Sequence, residues 1–367
     1  LHLLSRRQRQ MCIRDRKLID FAKILVGRIP GGLAHTNILG NTLFGSLSGS
    51  SVAASVAIGG VLIPMEEKEG YDKKFAAAVN IASAPTGLII PPSGILIIYP
   101  VLAGCSVVGM IMSGYIPGLM WALACMVVAY VIAKKNHYPT AGKVPASVFF
   151  KYFVDAIPSL LLIVIIVGGV MSGIFTATES AAVAVAYTLF LSIVVYRSIK
   201  IKDLPKILLD ACETTAVIMF LIAGSNVMSF VMSFTGLPSA IGNALISVSS
   251  NKYVILLIIN LVLLVVGCFM DITPAVLIFT PIFLPVVQSF GMDPIHFGIM
   301  MVMNLGIGNI TPPVGSALFS GCSVADMDME DMIKPILPFY AAIFVALMLV
   351  AYVPWFSMAL PTLFGAV

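Results

Sequence analysis

Long apolar stretches alternate with short charged segments along most of this chain. A helix of about 20 apolar residues crosses the hydrocarbon core of a bilayer, and several of the stretches are long enough to cross more than once. The pattern therefore predicts an all-α protein that crosses a membrane many times. The charge-free stretches are Ile29 to Met65, Phe75 to Ala133, Ala156 to Thr178, Thr214 to Asn251, Tyr253 to Met270, Ile272 to Met292 and Pro335 to Val367.

The apolar pattern also repeats within the chain. Shifted by 221 residues, the sequence aligns with itself without a gap, and the matched anchors are mostly glycine and proline. These residues set backbone geometry, so their coincidence indicates two copies of one structural unit. The matched pairs are Pro64 and Pro285, Gly70 and Gly291, Asp72 and Asp293, Gly87 and Gly308, Pro91 and Pro312, Pro92 and Pro313, Gly94 and Gly315, and Pro117 and Pro338.

Each copy begins with two apolar legs joined by a short tip. The first hairpin covers residues 31–64 with its tip at Ser48 to Ser51, and the second covers residues 252–285 with its tip at Phe269 to Ile272. The legs are short for a full crossing, since they have about 13 to 17 residues and a helix rises about 1.5 Å per residue. We therefore predict two re-entrant helical hairpins, each returning to its own side of the membrane.

A helix broken at a Pro-Pro pair follows each hairpin. Two successive prolines remove two amide donors and disfavour helix at the preceding residue. In hydrocarbon, the unpaired backbone of such a break must face protein, water or a bound ion. Simple proline kinks are the alternative interpretation. The broken helices are predicted over residues 75–102, interrupted at Ile90 to Gly94, and residues 294–325, interrupted at Thr311 to Gly315, and the return spans over residues 115–133 and 335–356.

Charge bias orients the two copies. Lys and Arg gather in three loops, which the positive-inside rule assigns to the cytoplasm. Three predicted spans separate the copies, and an odd number of crossings turns the second copy upside down. The loop of its hairpin, Val286 to Phe297, contains no Lys or Arg, as an external loop should. Inverted repeats are typical of secondary transporters with sites near the membrane midplane. The spans are Ala156 to Phe175, Ala181 to Tyr196 and Thr214 to Phe234, and the basic loops contain Lys68, Lys73 and Lys74, then Lys134, Lys135, Lys143 and Lys151, then Arg197, Lys200, Lys202 and Lys206.

Composition agrees with a membrane protein. The chain is 10% charged and 59% hydrophobic, with a mean hydropathy of +1.05, whereas a soluble domain carries about 25% charged residues. The net charge of +4 comes from short loops, so it reports membrane orientation and not a nucleic-acid surface. The six cysteines show no CxxC spacing, and all but Cys12 are predicted to be reduced packing residues.

These features divide the chain into four parts. Residues 1–16 are too polar to span a membrane and lack the apolar core of a signal peptide, so we predict a non-native or disordered basic leader, with a cytoplasmic basic tail as the alternative. Residues 17–134 form the first repeat, residues 135–251 the connecting spans and scaffold, and residues 252–367 the second repeat. The first repeat has no counterpart of the span over Thr214 to Phe234, so we expect a chain truncated at its N-terminus.

The hairpin tips are the first candidates for a binding site. Ser48, Gly49, Ser50 and Ser51 offer three hydroxyls and a flexible backbone, which suit coordination of a hard cation such as sodium. Close packing of helices through small residues is the alternative. Asp271 takes the Ser50 position in the other copy, and a lone carboxylate in an apolar segment is a functional candidate.

The two breaks are the second candidates. The freed backbone at Pro91, Pro92 and Ser93, and at Thr311, Pro312 and Pro313, lies before half-helices whose amino termini suit an anionic group. The remaining polar residues are predicted to have structural roles. Asn304 and Asn309 are predicted to be packing amides, or amides that orient ligands without touching them, Glu179 to cap a helix, His35 and His296 to be satisfied polar side chains, and Asp326, Asp328, Glu330 and Asp331 to form a solvated loop and not a metal cluster.

Enzyme functions find little support in the sequence. There is no GxxxxGK[ST] phosphate loop for ATP hydrolysis and no HExxH motif for an intramembrane metalloprotease. A serine protease would use Ser50 or Ser51 with a histidine, but the other copy has Asp271 at the Ser50 position, which no such mechanism requires. The chain is therefore predicted to be a transporter and not an enzyme.

The motifs resemble one family closely, the large permease subunit of tripartite ATP-independent periplasmic (TRAP) transporters. The resemblance extends from Lys17 to Val367. The runs that carry it are Gly31 to Ala34, Phe44 to Ser50, Gly70-Tyr71, Phe75 to Val79 and Ile90 to Ser93 in the first half, and Phe269 to Asp271, Pro281-Ile282, Asp293-Pro294, Phe297-Gly298, Asn304-Leu305 and Thr311 to Pro313 in the second half.

The resemblance implies a multi-pass importer of the bacterial or archaeal cytoplasmic (inner) membrane that couples uptake of an organic anion to sodium. It implies an elevator-like movement of the domain with the hairpins, and two partners: a small four-helix membrane subunit and a periplasmic substrate-binding protein. It places the sodium and substrate sites at the tips and breaks. The matching residues here are Ser48 to Ser51, Pro91 to Ser93, Asp271 to Thr273, with Asn304 nearby, and Thr311 to Pro313, and the sodium candidates among them are Ser48, Ser50, Asp271, Thr273 and Thr311.

Two other functions stay open. A carrier that works without a binding protein would have the same inverted hairpins, and a passive channel is a different class. The substrate is also open, since C4-dicarboxylates, sialic acids and other carboxylates all fit. No cofactor other than the coupling ion is expected.

Overall fold

The structure is a computed structural model that describes four long ranges of the chain: residues 29–140, 164–197, 199–236 and 251–366. It also describes residues 22, 23, 25, 26, 154, 157, 158, 161, 162, 240, 241 and 244. The predicted leader, residues 1–16, lies outside this part of the chain. All regular secondary structure within it is helical, so the all-α prediction is confirmed.

The first hairpin consists of α1 (Gly32–Ser48) and α2 (Ser51–Lys68). Gly49 ends α1 at φ +63°, a left-handed conformation that glycine adopts without strain. Ser50 then starts α2, since its side-chain hydroxyl accepts a hydrogen bond from the amide of Ala53 at 3.3 Å. Two residues therefore suffice to reverse the chain at this tip.

The first broken helix comprises α3 (Lys73–Ser83), α4 (Thr86–Ile89) and α5 (Ile95–Ala103). Asp72 caps α3 by accepting a hydrogen bond from the amide of Lys74 at 3.1 Å. The break falls between α4 and α5, where the Pro91-Pro92 peptide bond is cis. Two further helices complete this repeat, α6 (Val107–Ser113) and α7 (Tyr115–Lys135).

The described part of the middle region holds two long apolar helices. α8 (Ala177–Phe190) continues as a π-helical turn, Leu191–Val195, and α9 (Leu204–Thr235) follows a 3-10 turn, Ile201–Asp203. A π-helical turn, Val164–Gly168, and one turn of α-helix, Gly169–Met171, precede them. The first predicted connecting span, Ala156 to Phe175, lies partly outside the described residues.

The second repeat also has a hairpin, then a broken helix, then a long return helix, but its broken helix has two segments where the first has three. Its hairpin is α10 (Lys252–Phe269) and α11 (Ile272–Ser289), joined by Met270 and Asp271, and its broken helix is α12 (Pro294–Asn309) and α13 (Ser316–Ala325). The Pro312-Pro313 bond in its break is also cis. The repeat ends with α14 (Met329–Tyr352) and α15 (Trp355–Leu363).

The return legs of both hairpins are longer than predicted. The prolines expected to end them, Pro64 and Pro285, lie inside α2 and α11, each of which has 18 residues. Proline removes one helical hydrogen bond, but the turns that follow it keep theirs, so the helix continues. At about 1.5 Å per residue, these legs reach about 27 Å.

Six helical segments in the described part of the chain are long and apolar enough to cross a membrane. This number supports a polytopic membrane protein, as predicted. The membrane sides and the re-entrant path of the hairpins remain predictions. The six segments are Val107–Lys135, Thr178–Val195, Ile201–Met232, Lys252–Phe269, Ile272–Ser289 and Met329–Tyr352.

Glycines bring each hairpin against its own broken helix. A Cβ atom on Gly87 of α4 would lie 2.3 Å from the Cα atom of Gly45 in α1, and one on Gly308 of α12 would lie 2.5 Å from the Cα atom of Gly267 in α10. Such distances leave no room for a side chain, so close backbone contact depends on glycine at these crossings. The same contact in both copies supports the repeat.

Contacts between the copies join opposite ends of their broken helices. Lys74 Nζ, at the start of α3, lies 2.6 Å from Asp331 Oδ1, shortly after the end of α13. At the other end, the Tyr99 hydroxyl in α5 donates a hydrogen bond of 2.6 Å to the carbonyl of Pro294, at the start of α12. The two broken helices therefore run in opposite directions, as inverted copies require.

Candidate functional site

The first hairpin tip lies against the first break. A Cβ atom on Gly49 would be 3.5 Å from both the Cα atom of Ser93 and the amide nitrogen of Gly94. The Ser48 side chain is exposed, and its hydroxyl makes only long hydrogen bonds of 3.4 Å: it donates to the carbonyls of Gly45 and Ser50 and accepts from the Ser50 amide. Hydroxyls and freed backbone from two elements thus meet here.

Ser93 has a buried hydroxyl that lacks a partner. The residue is 1% exposed, and its Oγ makes no hydrogen bond among the described residues. A buried hydroxyl without a hydrogen bond costs about 1–3 kcal/mol. An unpaired oxygen beside a polar tip is therefore a suitable ligand position for a small cation.

The second hairpin tip lies against the second break in the same way. The amide of Val314 donates a hydrogen bond of 3.2 Å to the carbonyl of Cys268, near the end of α10. Asp271 is exposed at this tip, and its Oδ1 lies 3.5 Å from the hydroxyl of Ser316, the first residue of α13. Thr273 lies in the first turn of α11 behind it. The lone carboxylate therefore faces the break of its own copy.

Asn309 joins the first tip to the second break. Its Nδ2 donates a hydrogen bond of 2.8 Å to the hydroxyl of Ser51, at the start of α2. Its Oδ1 accepts hydrogen bonds from the Ser316 hydroxyl and, at 3.1 Å, from the amide of Ala317. Because Ser316 also lies beside Asp271, both tips and the second break form one polar site.

The remaining groups at the second break are tied to the backbone. Thr311 donates its hydroxyl to the carbonyl of Ile307 at 2.7 Å. The carbonyl of Ile310, just past the end of α12, accepts a hydrogen bond from the Tyr340 hydroxyl of α14. Tyr340 therefore supports the second break from a neighbouring helix, α14.

Asn304 lies apart from this site. It is fully buried, and its Nδ2 donates to the side-chain oxygen of Asn260 at 2.7 Å and to the Asn260 carbonyl at 2.9 Å. These bonds link α12 to α10. The structure therefore places Asn304 between the hairpin and the broken helix, about a turn from Asn309 and the break.

Sequence reasoning missed two residues of the site, Ser316 and Tyr340. Ser316 corresponds to Ile95 in the other copy, so the repeat gave no signal for it. Tyr340 lies in an apolar span and contacts the break only through the tertiary fold. The position of Ser316 directly after Gly315, at the start of a half-helix, was the one available clue.

Most of the structural roles predicted for other polar residues are confirmed. Glu179 closes a capping box, since its Oε2 accepts from the Thr176 amide at 2.8 Å. His296 Nε2 lies 2.8 Å from the Val350 carbonyl.

Two of these predictions were wrong. His35 is buried, but neither ring nitrogen has a hydrogen-bond partner in the described part of the chain. The acidic segment is not all loop, because Glu330 and Asp331 form the first turn of α14, where carboxylates interact favourably with the helix dipole.

Comparison with known proteins identifies the family. The family described as "Tripartite ATP-independent periplasmic transporter, DctM component" matches residues 13–356. A Salmonella typhimurium protein, "Uncharacterized protein YgiK", is 51% identical over 95% of this chain and 80% of its own length. The "C4-dicarboxylate TRAP transporter large permease protein DctM" of Pseudomonas aeruginosa is 39% identical over 95% of this chain and 82% of its own length.

A further relative differs in the substrate that its name gives. The "Sialic acid TRAP transporter large permease protein SiaM" of Vibrio cholerae is 38% identical, again over 95% of this chain and 82% of its own length. With six apolar segments in the described residues, these matches agree with the predicted multi-pass protein. The chain thus belongs to the large permease family of TRAP transporters, inner-membrane transport proteins and not enzymes.

Proposed function

We propose that this protein is the permease subunit of a sodium-driven importer of an organic carboxylate. The observation that carries the proposal is the convergence of both tips and the second break on Asn309, which bonds Ser51 and Ser316. Oxygen ligands from separate elements meet there. A bound ion would therefore hold those elements in one arrangement, as coupled transport requires.

Sodium is the ion that suits these groups. Hard cations prefer oxygen ligands from hydroxyls, carbonyls and carboxylates. The first tip offers Ser48 and Ser50, with the unpaired hydroxyl of Ser93 beside them. The second offers Asp271 with Thr273 two residues later in the chain, and the adjacent break offers Thr311. Because one tip has a serine where the other has a carboxylate, we propose two unequal sodium sites.

The substrate is proposed to bind between the two breaks. The half-helices α5 and α13 begin there, and the free amides at a helix N-terminus favour an anion. Two of the relatives bear the names of carboxylates, C4-dicarboxylate and sialic acid. A carboxylate of this general kind is the class that we propose.

Two partners belong to the proposal. A periplasmic binding protein would deliver the substrate, and a small membrane subunit would cover part of the apolar surface. Helix α9 is a candidate surface for the small membrane subunit. Its side chains Phe220, Phe230 and Phe234 are each more than 70% exposed in the isolated chain. Lipid or protein must cover such side chains in the membrane. The tips and breaks would then move as one body against this scaffold, in an elevator-like step.

Counterflow in proteoliposomes tests the proposal. The protein, its membrane partner and the binding protein are reconstituted, and uptake of labelled dicarboxylate or sialic acid is measured with and without a sodium gradient. Asp271→Asn and Ser50→Ala should raise the sodium concentration that is needed for half-maximal uptake. The control is Asp210→Asn, because Asp210 is an exposed carboxylate on α9, far along the chain from either tip.

Two results would contradict the proposal. Uptake that needs no sodium and is unchanged by both site variants would exclude the coupled mechanism. Flux that follows the substrate gradient alone and does not saturate would indicate a passive channel. Sodium-driven uptake without the binding protein would instead support an independent carrier that uses the same site.

A further inference from the structure

A second polar cluster lies in the first hairpin, away from the tips and breaks. Glu66, in the last turn of α2, has no exposed surface, and its Oε2 accepts a hydrogen bond of 3.3 Å from Asn37 Nδ2 in α1. Its Oε1 has no hydrogen-bond partner among the described residues. The ion pairs found there, Lys23 with Glu69 and Lys74 with Asp331, do not include Glu66. Within the part of the chain that the structure describes, this carboxyl group is therefore buried without a paired cation.

The cluster extends from Glu66 through three helices. Asn41 in α1 donates to Asn37 Oδ1 at 3.0 Å, to Asn80 Oδ1 of α3 at 3.0 Å and to the Ser83 hydroxyl of α3 at 2.9 Å. These three partners and Asn41 itself are fully buried. Asn41 Oδ1 also lacks a partner among the described residues. Because Glu66 Oε1 and Asn41 Oδ1 both lack a donor, the described cluster has fewer hydrogen-bond donors than acceptors.

The fold itself does not require this polarity. In the register of the internal repeat, Val287 takes the place of Glu66 and Met301 the place of Asn80. Both are buried, at 1% and 0% exposure. The second hairpin thus packs on its broken helix with apolar side chains at these positions. A buried carboxyl group that its own repeat replaces with valine needs a reason other than packing.

The surroundings of Glu66 favour its neutral form. A carboxylate without water or a counter-ion is costly to bury, whereas the protonated acid is not. Among the facing groups, Glu69 and Tyr71 interact electrostatically with Glu66, and the negative charge of Glu69 opposes a second one. The titratable or charged groups on the elements packed against α2 are His35 on α1, Lys73 and Lys74 on α3 and Cys322 on α13. Glu67 and Lys68 lie on α2 itself, and Glu69, Tyr71 and Asp72 lie in the loop that follows it.

We propose that Glu66 is a proton-binding site that closes the base of the first hairpin. In this arrangement the carboxyl group carries a proton. When the proton passes to water at the adjacent loop, the carboxylate left behind draws water between α1 and α2. The amide of Tyr71 bonds to the Glu66 carbonyl at 3.0 Å, so the loop from Glu66 to Tyr71 would loosen with the helix end. Lys68, Lys73 and Lys74, in and beside this loop, assign it to the cytoplasm by the positive-inside rule, so proton exchange would take place on that side.

Infrared spectroscopy of the purified full chain in lipid nanodiscs tests the proton directly. The measurement follows the carbonyl stretching band of protonated carboxylic acids between about pH 5 and about pH 9, above the usual range of an exposed glutamic acid. Glu66 is the only fully buried carboxyl group among the described residues. We expect the wild type to keep such a band at neutral pH and to lose it as the pH rises. Glu66→Gln should lack the band.

The matched control is Glu67→Gln, because Glu67 is the exposed neighbour on the same helix. It should retain the band with an unchanged titration. A wild-type protein without the band at neutral pH, or a band of equal size in Glu66→Gln, would overturn the proposal. Neither result depends on transport, so the test is separate from that of the proposed function.

A second variant decides the matter if Glu66→Gln does not fold. The hydrogen bond from Asn37 to Glu66 Oε2 favours the charged form of Glu66, and Asn37→Leu removes that bond. Hydrogen bonds to charged groups contribute about 1.5–3 kcal/mol, so Glu66 should hold its proton about tenfold more tightly or more. The band would then persist to higher pH than in the wild type. An unchanged titration would show that the band does not come from Glu66.

Hydrogen exchange tests the structural consequence. Amides at the end of α2 and in the following loop should exchange faster, beyond the intrinsic effect of pH, once Glu66 of the wild type has lost its proton. Glu66→Gln mimics the neutral acid and should stay protected under the same conditions. Equal protection of the two proteins across the titration would refute the opening of the hairpin base.

Discussion

Asn309 occupies the position where the parts of the site meet. Its one amide group donates to Ser51 and accepts from Ser316 and from the amide of Ala317. Asn304, by contrast, bonds within its own repeat. The site therefore depends on a residue that need not touch the ion itself.

Replacing Asn309 with leucine should abolish coupled uptake while the protein still folds. The buried Ser51 hydroxyl and the Ala317 amide would lose their partner, at a cost of about 1–3 kcal/mol for each buried group left unpaired. Transport is measured by the counterflow assay, and folding by the thermal unfolding midpoint in detergent. Asn136→Ala is the control, because Asn136 is exposed after α7. Normal uptake by the Asn309 variant would show that the bridge is dispensable.

Glycine allows the helices of each hairpin to contact the broken helix of the same copy, backbone against backbone. Gly45 with Gly87, and Gly267 with Gly308, bring backbones into contact in the two copies. Small residues are the usual means by which membrane helices approach closely. Because the tips extend beyond these crossings, the crossings set the position of each tip against its break.

Gly87→Ala should destabilise the first repeat. The added methyl group would meet the Gly45 backbone at 2.3 Å, and backbone cannot turn aside as a flexible side chain can. Overpacking of this kind costs about 1–3 kcal/mol. The matched control is Gly224→Ala in α9, where a Cβ atom meets nothing within 4 Å and alanine favours helix by about 1 kcal/mol. The thermal unfolding midpoint should fall in the first variant and stay level or rise in the second; equal midpoints would contradict the crossing.

At the scale of the whole molecule, the two repeats are joined at both ends of their broken helices. Lys74 and Asp331 meet at one end, and Tyr99 and Pro294 at the other. Between these ends lies the site, to which both repeats contribute. The antiparallel arrangement thus places the first tip beside the second break, a pairing that neither copy could make alone.

The ion pair between Lys74 and Asp331 should contribute little to stability. The two side chains are 46% and 51% exposed, and exposed pairs contribute about 0.2–1 kcal/mol. A double-mutant cycle with Lys74→Ala and Asp331→Ala, followed by thermal unfolding, measures the coupling. Salt should reduce it further, because exposed charges are screened. A coupling well above this range, unaffected by salt, would show that the pair is shielded from water.

Sequence alone determined the elements that depend on local backbone chemistry. Glycine and proline have the same effect wherever they occur, so the anchors Pro91-Pro92 and Pro312-Pro313 predicted both breaks, and the polar tips at Ser50 and Asp271 predicted both reversals. Apolar length predicted a membrane protein for the same reason. The ends of the return legs were predicted less well, since a proline removes only one helical hydrogen bond and α2 continues past Pro64.

Only the tertiary structure decided which polar residues meet. Asn309 and Ser51 are 258 residues apart in the chain, and no local rule joins them. The burial of Glu66 could not be predicted from sequence either. A glutamate in a charged segment is expected to be solvated, and only the packing of α1 and α3 removes this one from water. Backbone preference acts over a few residues, whereas burial and pairing depend on what the rest of the chain brings near. The sequence therefore predicts the repeated elements of this permease, and their packing determines its site and the buried acid at the base of the first hairpin.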